Sequence, residues 1–292
     1  MLEITKVSKS FHKNKVLKDI NLNIQKGEIH GLIGENSAGK TTLIKCIMGI
    51  YKPDNGSITL DGELVYDNPV AKEKIGYVAD VNEYIRCYSV KGIVKLYQDF
   101  FDNFSVERFY ILNQTFKLDE KKMITSLSKG QKMRLAFMLS LAQNPEYLIL
   151  DEPTSGLDVI AKKELLDILV SEVEEKNIGV LISSHNLEGL EKICDTVTMM
   201  KQGKVTMQNT LDNVKDTYTK WQVVFEKEFP KELKKNNQII EIKNVGSIYT
   251  IVTKNYGKEF EEQLKNQGAS LVEEIPISLE ELFVYSNKEG NS

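Results

Sequence analysis

Apolar residues at the start of the chain alternate with polar ones: Leu2, Ile4 and Val7, then Val16, Ile20, Leu22 and Ile24. A period of two marks strands with one buried face, so this stretch predicts two strands joined by the polar turn at His12–Lys15. A short strand at Glu28–Ile33 then runs into a glycine-rich turn and a helix over Lys40–Met48. Pro53-Asp54-Asn55-Gly56 predicts a turn before a strand at Ser57–Leu60. Further on the period lengthens. Val90–Phe116 reads as helical and aromatic-rich, and Gly130–Ala142 as another helix, stopped by Asn144-Pro145. Tyr147–Leu150 and Gly179–Ser183 are short, wholly apolar strands between helical stretches, the pattern of parallel strands buried on both faces. Near residue 213 alternation returns, at Trp221–Phe225, Ile239–Ile242 and Tyr249–Val252, followed by helices at Lys258–Asn266 and Leu279–Tyr285. The pattern predicts an α/β domain over 1–212 with a helical part at about 83–145, and a small α+β domain over 213–292.

Composition narrows the class more than it defines it. A chain of 292 residues holds one large and one small domain. Its formal net charge of −4 gives no general attraction to nucleic acid, and none is expected as a partner. Cys46, Cys87 and Cys194 are odd in number and match no ligand spacing, which argues against a disulfide framework or a zinc site and fits a reducing compartment. Met1 opens directly into a polar, alternating segment, so no secretory leader is expected. No apolar run approaches the roughly 20 residues that span a bilayer, so any work at a membrane needs a partner.

The chemistry starts at Gly34-Glu35-Asn36-Ser37-Ala38-Gly39-Lys40-Thr41-Thr42, which fits G-x-x-x-x-G-K-[ST] between a predicted strand and a predicted helix. Glycines let backbone N–H groups turn inward around phosphate oxygens, and the helix N-terminus adds partial positive charge. Lys40 would reach the β- and γ-phosphates, and the Thr41 hydroxyl would ligate Mg²⁺. Tyr147–Leu150 is a second element of interest because it ends in Asp151 and Glu152. Beside a phosphate loop, Asp151 could hold Mg²⁺ and Glu152 could polarise an attacking water as general base. Taken alone, two acids at a strand end are common.

Between these elements stands Leu127-Ser128-Lys129-Gly130-Gln131, opening a helix; after them come Ser155-Gly156-Leu157-Asp158 and, past the next apolar strand, His185. This ordered set over roughly residues 1–210 resembles the ABC (ATP-binding cassette) ATPase family. The resemblance implies a P-loop core with a parallel sheet, an N-terminal antiparallel β-subdomain and an inserted helical subdomain. It also implies head-to-tail dimers that sandwich ATP and Mg²⁺. Lys40, Thr41, Asp151 and Glu152 would come from one subunit; Ser128, Gly130 and Gln131 would reach the nucleotide from the other. Asp158 would lie at the seam, His185 would contact the γ-phosphate, and Phe11 falls where the family stacks an aromatic on adenine. The implied setting is the cytoplasmic face of a membrane, with an integral permease subunit and a second ABC ATPase, identical or different, as partners. In the family the helical subdomain receives the permease; most of its aromatics read as its own core, with Tyr84 and Tyr88 as candidates for the receiving groove. The ending Ile275-Pro-Ile-Ser-Leu-Glu-Glu-Leu-Phe resembles ATPase subunits of bacterial exporter-type transporters.

Three positions depart from the family pattern. Ser37 replaces a glycine, which costs something wherever φ is positive. Lys129 replaces the second-glycine position of the signature, and Asp80 falls where the family has glutamine. Asp80 is carried as a candidate Mg²⁺ contact, since carboxylate oxygen suits the ion. The competing class is a non-transport ABC ATPase acting on ribosomes or nucleic acid. A single phosphate loop and the lack of long heptad insertions weigh against it.

Overall fold

The computed structural model describes residues 1–82, 87–185, 187–225, 229–230, 232–233, 236, 238–254 and 258–289. These pack as two compact units, Met1–Asn186 with Lys192–Gln208, and Leu187–Glu191 with Asn209–Ser292. The boundary expected after residue 212 falls within a helix over Leu211–Thr217, and that helix lies in the second unit.

The first unit is built on two sheets. β1 (Leu2–Phe11) and β2 (Asn14–Ile24) form the antiparallel pair that the alternation predicts, and β4 (Asn55–Leu60) and the short β5 (Glu63–Leu64) extend the sheet in the order β2-β1-β4-β5. The second sheet has the order β10-β9-β3-β8-β7-β6, with β3 at Ile29–Gly34, β6 at Ile75–Val78, β7 at Tyr147–Asp151, β8 at Gly179–Ser184, β9 at Thr196–Lys201 and β10 at Lys204–Thr210. β3, β7 and β8 are buried at every residue, which is why they read as unbroken apolar runs. Because β6, β7, β8, β3 and β9 pair in parallel, their carboxyl ends share one edge. Such an edge is the usual place for a ligand crevice in α/β sheets.

The helices include α1 (Lys40–Ile47) after β3, α3 (Val90–Phe100), α4 (Val106–Phe116), α5 (Lys129–Ala142) and α6 (Val159–Lys176), with the short α2 at Pro69–Glu73. The predicted helical stretch 90–116 is two helices, not one. The Ser105 hydroxyl accepts the Arg108 N–H and starts α4 afresh. Phe104, Phe109 and Phe116 are buried, as a subdomain core requires, whereas Phe100 is exposed. Tyr88 is half-buried; Tyr84 lies outside the described residues.

The second unit carries a four-stranded sheet, β12-β13-β11-β14, with β11 at Tyr218–Phe225, β12 at Ile239–Val245, β13 at Ile248–Lys254 and β14 at Ala269–Ile275. Trp221, Val223, Ile251 and Phe260 form its core, and the buried Trp221 indole donates to Thr253 Oγ1 at 3.0 Å. β14 is not signalled by alternation, because as an edge strand it has no fully buried residue.

A turn beside the phosphate loop tests the backbone argument. Gly203 has φ +78°, and a Cβ there would meet the Val16 carbonyl oxygen at 2.0 Å; Gly62 has φ +87° with nothing within 4 Å. A left-handed L-residue costs about 1–2 kcal/mol. Gly62→Ala should therefore lose about that much in urea unfolding, and Gly203→Ala distinctly more.

Candidate functional site

The phosphate loop takes its shape from two residues with positive φ, Ser37 at +71° and Gly39 at +106°. Gly39 has to be glycine: a Cβ would sit 3.0 Å from Leu17 Cδ2 and 3.3 Å from the Val16 carbonyl oxygen. At Ser37 the chain accepts the strain that the family's glycine avoids, about 1 kcal/mol for a left-handed L-residue. The loop is closed by Ala38 N–H donating to the Glu35 carbonyl at 3.1 Å, and anchored by Gly203 N–H donating to the Ala38 carbonyl at 3.0 Å. From Gly39 the backbone enters α1, whose first N–H groups have no partner within the helix.

Lys40 folds back under this loop. Its side chain is only 7 % exposed, and its ammonium donates to the Gly34 carbonyl at 2.6 Å and the Glu35 carbonyl at 3.3 Å, with Glu152 Oε1 at 3.9 Å. Burial pulls its pKa below the usual lysine value, while the charges of Glu152 and Asp151 pull the other way.

The carboxylates stand opposite. β7 pairs with β8 so that Asp151 faces Ser183. The Ser183 hydroxyl donates to Asp151 Oδ1 at 2.7 Å and accepts the Glu152 N–H at 3.0 Å. Glu152 adopts φ +51°, a left-handed conformation that a non-glycine residue holds only when its surroundings fix it. His185 supplies part of that fixing: its Nδ1 lies 2.8 Å from Glu152 Oε2, and its backbone N–H donates to the same oxygen at 3.3 Å. The His185 ring is itself 64 % exposed, turned toward solvent where a ligand can reach it.

An open cleft of about 330 Å³ runs along the loop, lined from Glu35 to Thr42 together with Asn14, Val16, Asp80 and Glu152; Asp151 and His185 do not line it. Asp80 and Asp151 both raise the Tyr77 phenol, although burial is the larger cause of its rise to about 12. Of the other expected residues, Phe11 is 38 % exposed at the end of β1, edge-on to Tyr51 and under the Lys9 ammonium, and it does not line the cleft. Asn14 and Val16, across the turn from it, do. The N-terminus of α5 is also outside the cleft. There the Ser128 hydroxyl accepts the Gln131 N–H and Gln131 Oε1 accepts the Ser128 N–H, a reciprocal cap, and the same Oε1 accepts from Lys122 at 3.3 Å. Gly130 is buried against the Gly156 carbonyl, leaving no room for a side chain. Asp158 caps α6 through the Ala161 N–H, which holds its carboxyl low, and pairs with Arg134 at 2.9 Å.

Among the described residues no three His, Cys, Asp or Glu side chains gather as a ready metal cage. The donor set instead suits Mg²⁺ arriving with a nucleotide: one or two carboxylates and a hydroxyl from the protein, the remaining ligands from phosphate and water.

Comparison with known proteins decides the family. Residues 17–155 match the family model described as ABC transporter. Over 97 % of its length the chain is 33 % identical to the ABC transporter ATP-binding protein YtrB of Bacillus subtilis (strain 168), 97 % of which is covered. The chain belongs to the ABC transporter ATP-binding proteins. It is thus an ABC-type ATPase subunit, and the transport reading is favoured over ribosome or nucleic-acid work. The bacitracin transport ATP-binding protein BcrA of Bacillus licheniformis is 30 % identical over 76 % of this chain and 73 % of that one. A solved structure, that of an ATP-binding subunit of an ABC transporter, superposes with a TM-score of 0.69 at 28 % identity, covering 74 % of this ABC subunit and 92 % of the other.

Ser183 is the site residue that sequence reasoning passed over. Ser183→Ala removes the hydroxyl that joins Asp151 to the Glu152 backbone, and outer-shell partners of this kind are worth about 10–100-fold in activity. The expected result is that loss in ATP turnover with nucleotide affinity little changed, measured by steady-state hydrolysis alongside ATP titration.

Proposed function

We propose that this ABC subunit hydrolyses Mg²⁺–ATP at a site shared between two ATPase subunits, and that the cycle drives a separate membrane-spanning permease. The observation that carries the reading is the division of the motif residues. Lys40, Thr41, Asp80 and Glu152 belong to one cleft, whereas Ser128, Gly130 and Asp158 lie outside it. Each chain then offers half a site, and a second ATPase subunit, identical or different, completes it. Val159 and Ile160, directly after Asp158, are exposed apolar side chains that a seam there would cover.

In this reading ATP phosphates lie on the loop amides and the Lys40 ammonium, with the base end toward Asn14, Val16 and Phe11. Thr41 and Asp151 would hold Mg²⁺, with Asp80 lining the cleft beside Thr41. The ion, when bound, would offset the charge that develops on the phosphates. Glu152 takes a proton from the attacking water, since its Oε1 faces Lys40 and its Oε2 is fixed by His185. His185 is a positioning residue for Glu152 and presents its exposed ring edge to the γ-phosphate. Ser128 and Gly130 supply amides and a hydroxyl to the partner's nucleotide.

No described helix is long and apolar enough to cross a membrane, so the permease is a separate polypeptide or a segment beyond this sequence. Placement at the cytoplasmic face, and export as the direction, rest on the resemblance of Ile275–Phe283 to exporter-type subunits and on relatives named for transport of bacitracin and lantibiotics.

Glu152→Gln keeps shape but removes the base. We expect hydrolysis to fall by about 10²-fold or more, with the variant accumulating as an ATP-bound dimer by light scattering. Hydrolysis at the wild-type rate would overturn the assignment of Glu152.

A further inference from the structure

Two of the three residues that depart from the family pattern meet. Lys129, at the start of α5, places its ammonium 3.2 Å from Asp80 Oδ1, although the residues are 49 positions apart. The same ammonium donates to Ser155 Oγ at 2.9 Å. Its aliphatic stem lies over Gly156, where a Cβ would stand 3.2–3.7 Å from Lys129 carbons. Three segments thus converge on one side chain: the end of β6, the start of α5 and the turn after Glu152.

Asp80 also lines the nucleotide cleft with Lys40, Thr41 and Glu152. An unpaired carboxylate there would repel a bound triphosphate, since like charges a few ångströms apart oppose each other. We propose that Lys129 is the counter-charge of Asp80, so that the two substitutions act as one neutral unit that sets nucleotide affinity. The inference rests on the nucleotide reading above. It also ties Lys129 to its own chain's cleft through Asp80, whereas Ser128 and Gly130, its neighbours, serve the partner's. The pair is about half exposed, 52 % at Lys129 and 44 % at Asp80. Exposed pairs shift an equilibrium by up to about five-fold, which is strong enough to tune binding and weak enough for Asp80 to turn toward Mg²⁺ when the metal–nucleotide enters.

The test is ATP binding by calorimetry to the full chain, with and without Mg²⁺, on Lys129→Gln, Lys129→Arg, Asp80→Gln and the Asp80→Gln/Lys129→Gln double variant. Lys129→Gln should weaken ATP about five-fold, more without Mg²⁺ than with it, and less at high salt, where screening shortens the reach of Asp80. Lys129→Arg should retain wild-type affinity, and the double variant should regain it. An unchanged Lys129→Gln would overturn the proposal, as would an equal loss from Lys129→Gln in the Asp80→Gln background, because the lysine would then act without Asp80. Lys40→Ala separates the two readings: if it binds ATP as well as wild type, the nucleotide site itself is misplaced, whereas its loss of binding beside an unaffected Lys129→Gln sinks only the pair.

Discussion

A buried ammonium governs the nucleotide cleft. Taking a lysine out of water is costly unless its charge is met, and Lys40 is met from two directions, by the carbonyls of Gly34 and Glu35 and by the carboxylate of Glu152. The left-handed Ser37 and Gly39 turn the chain between those carbonyls and Lys40. With the Gly34 and Glu35 carbonyls turned toward Lys40, the N-terminal amides of the helix after Gly39 are open to an anion. A phosphate that enters brings negative charge to a cation already desolvated and aimed, so little further reorganisation is needed.

The sheet supplies the opposing wall. Parallel pairing of β3, β8 and β7 brings the loop, Ser183 and the Asp151–Glu152 pair to one edge. Ser183 turns this register into chemistry by bonding to both members of the pair. His185 and Lys40 then hold the two oxygens of Glu152 apart, one toward each side of the cleft. The strain at Glu152 is concentrated where the reacting water is proposed to sit, as functional strain often is. The signature-type helix start at Ser128 does not line this cleft, which is the basis for proposing that a second chain completes it.

Local features were legible and remote pairings were not. The strand–loop–helix around Lys40 could be read because glycine spacing, the apolar run before it and the helix after it are neighbours in sequence. The N-terminal hairpin was equally clear, since one face of β1 and β2 is buried and the other wet. Asp80 and Lys129 were each visible as departures, but nothing within a few residues of either says that they touch. Ser183 read as the end of an apolar strand, because its role depends on the β7–β8 register. The split at 101–105 was masked by aromatics that keep a helical period on both sides. β14 was missed because an exposed edge strand leaves no alternation to find.

The central claim, that a complete site needs two chains, is tested most directly by subunit mixing. Lys40→Ala chains keep the Ser128 surface and lose the loop cation; Ser128→Arg chains keep the loop and lose the signature surface. Each alone should be inactive, and random pairing should rebuild one intact site in half of the dimers, about a quarter of wild-type ATP turnover. Recovery of hydrolysis on mixing is the result expected. Where the wild-type chain hydrolyses ATP on its own, full activity of Ser128→Arg alone, or no recovery in the mixture of the two folded variants, would contradict a shared site.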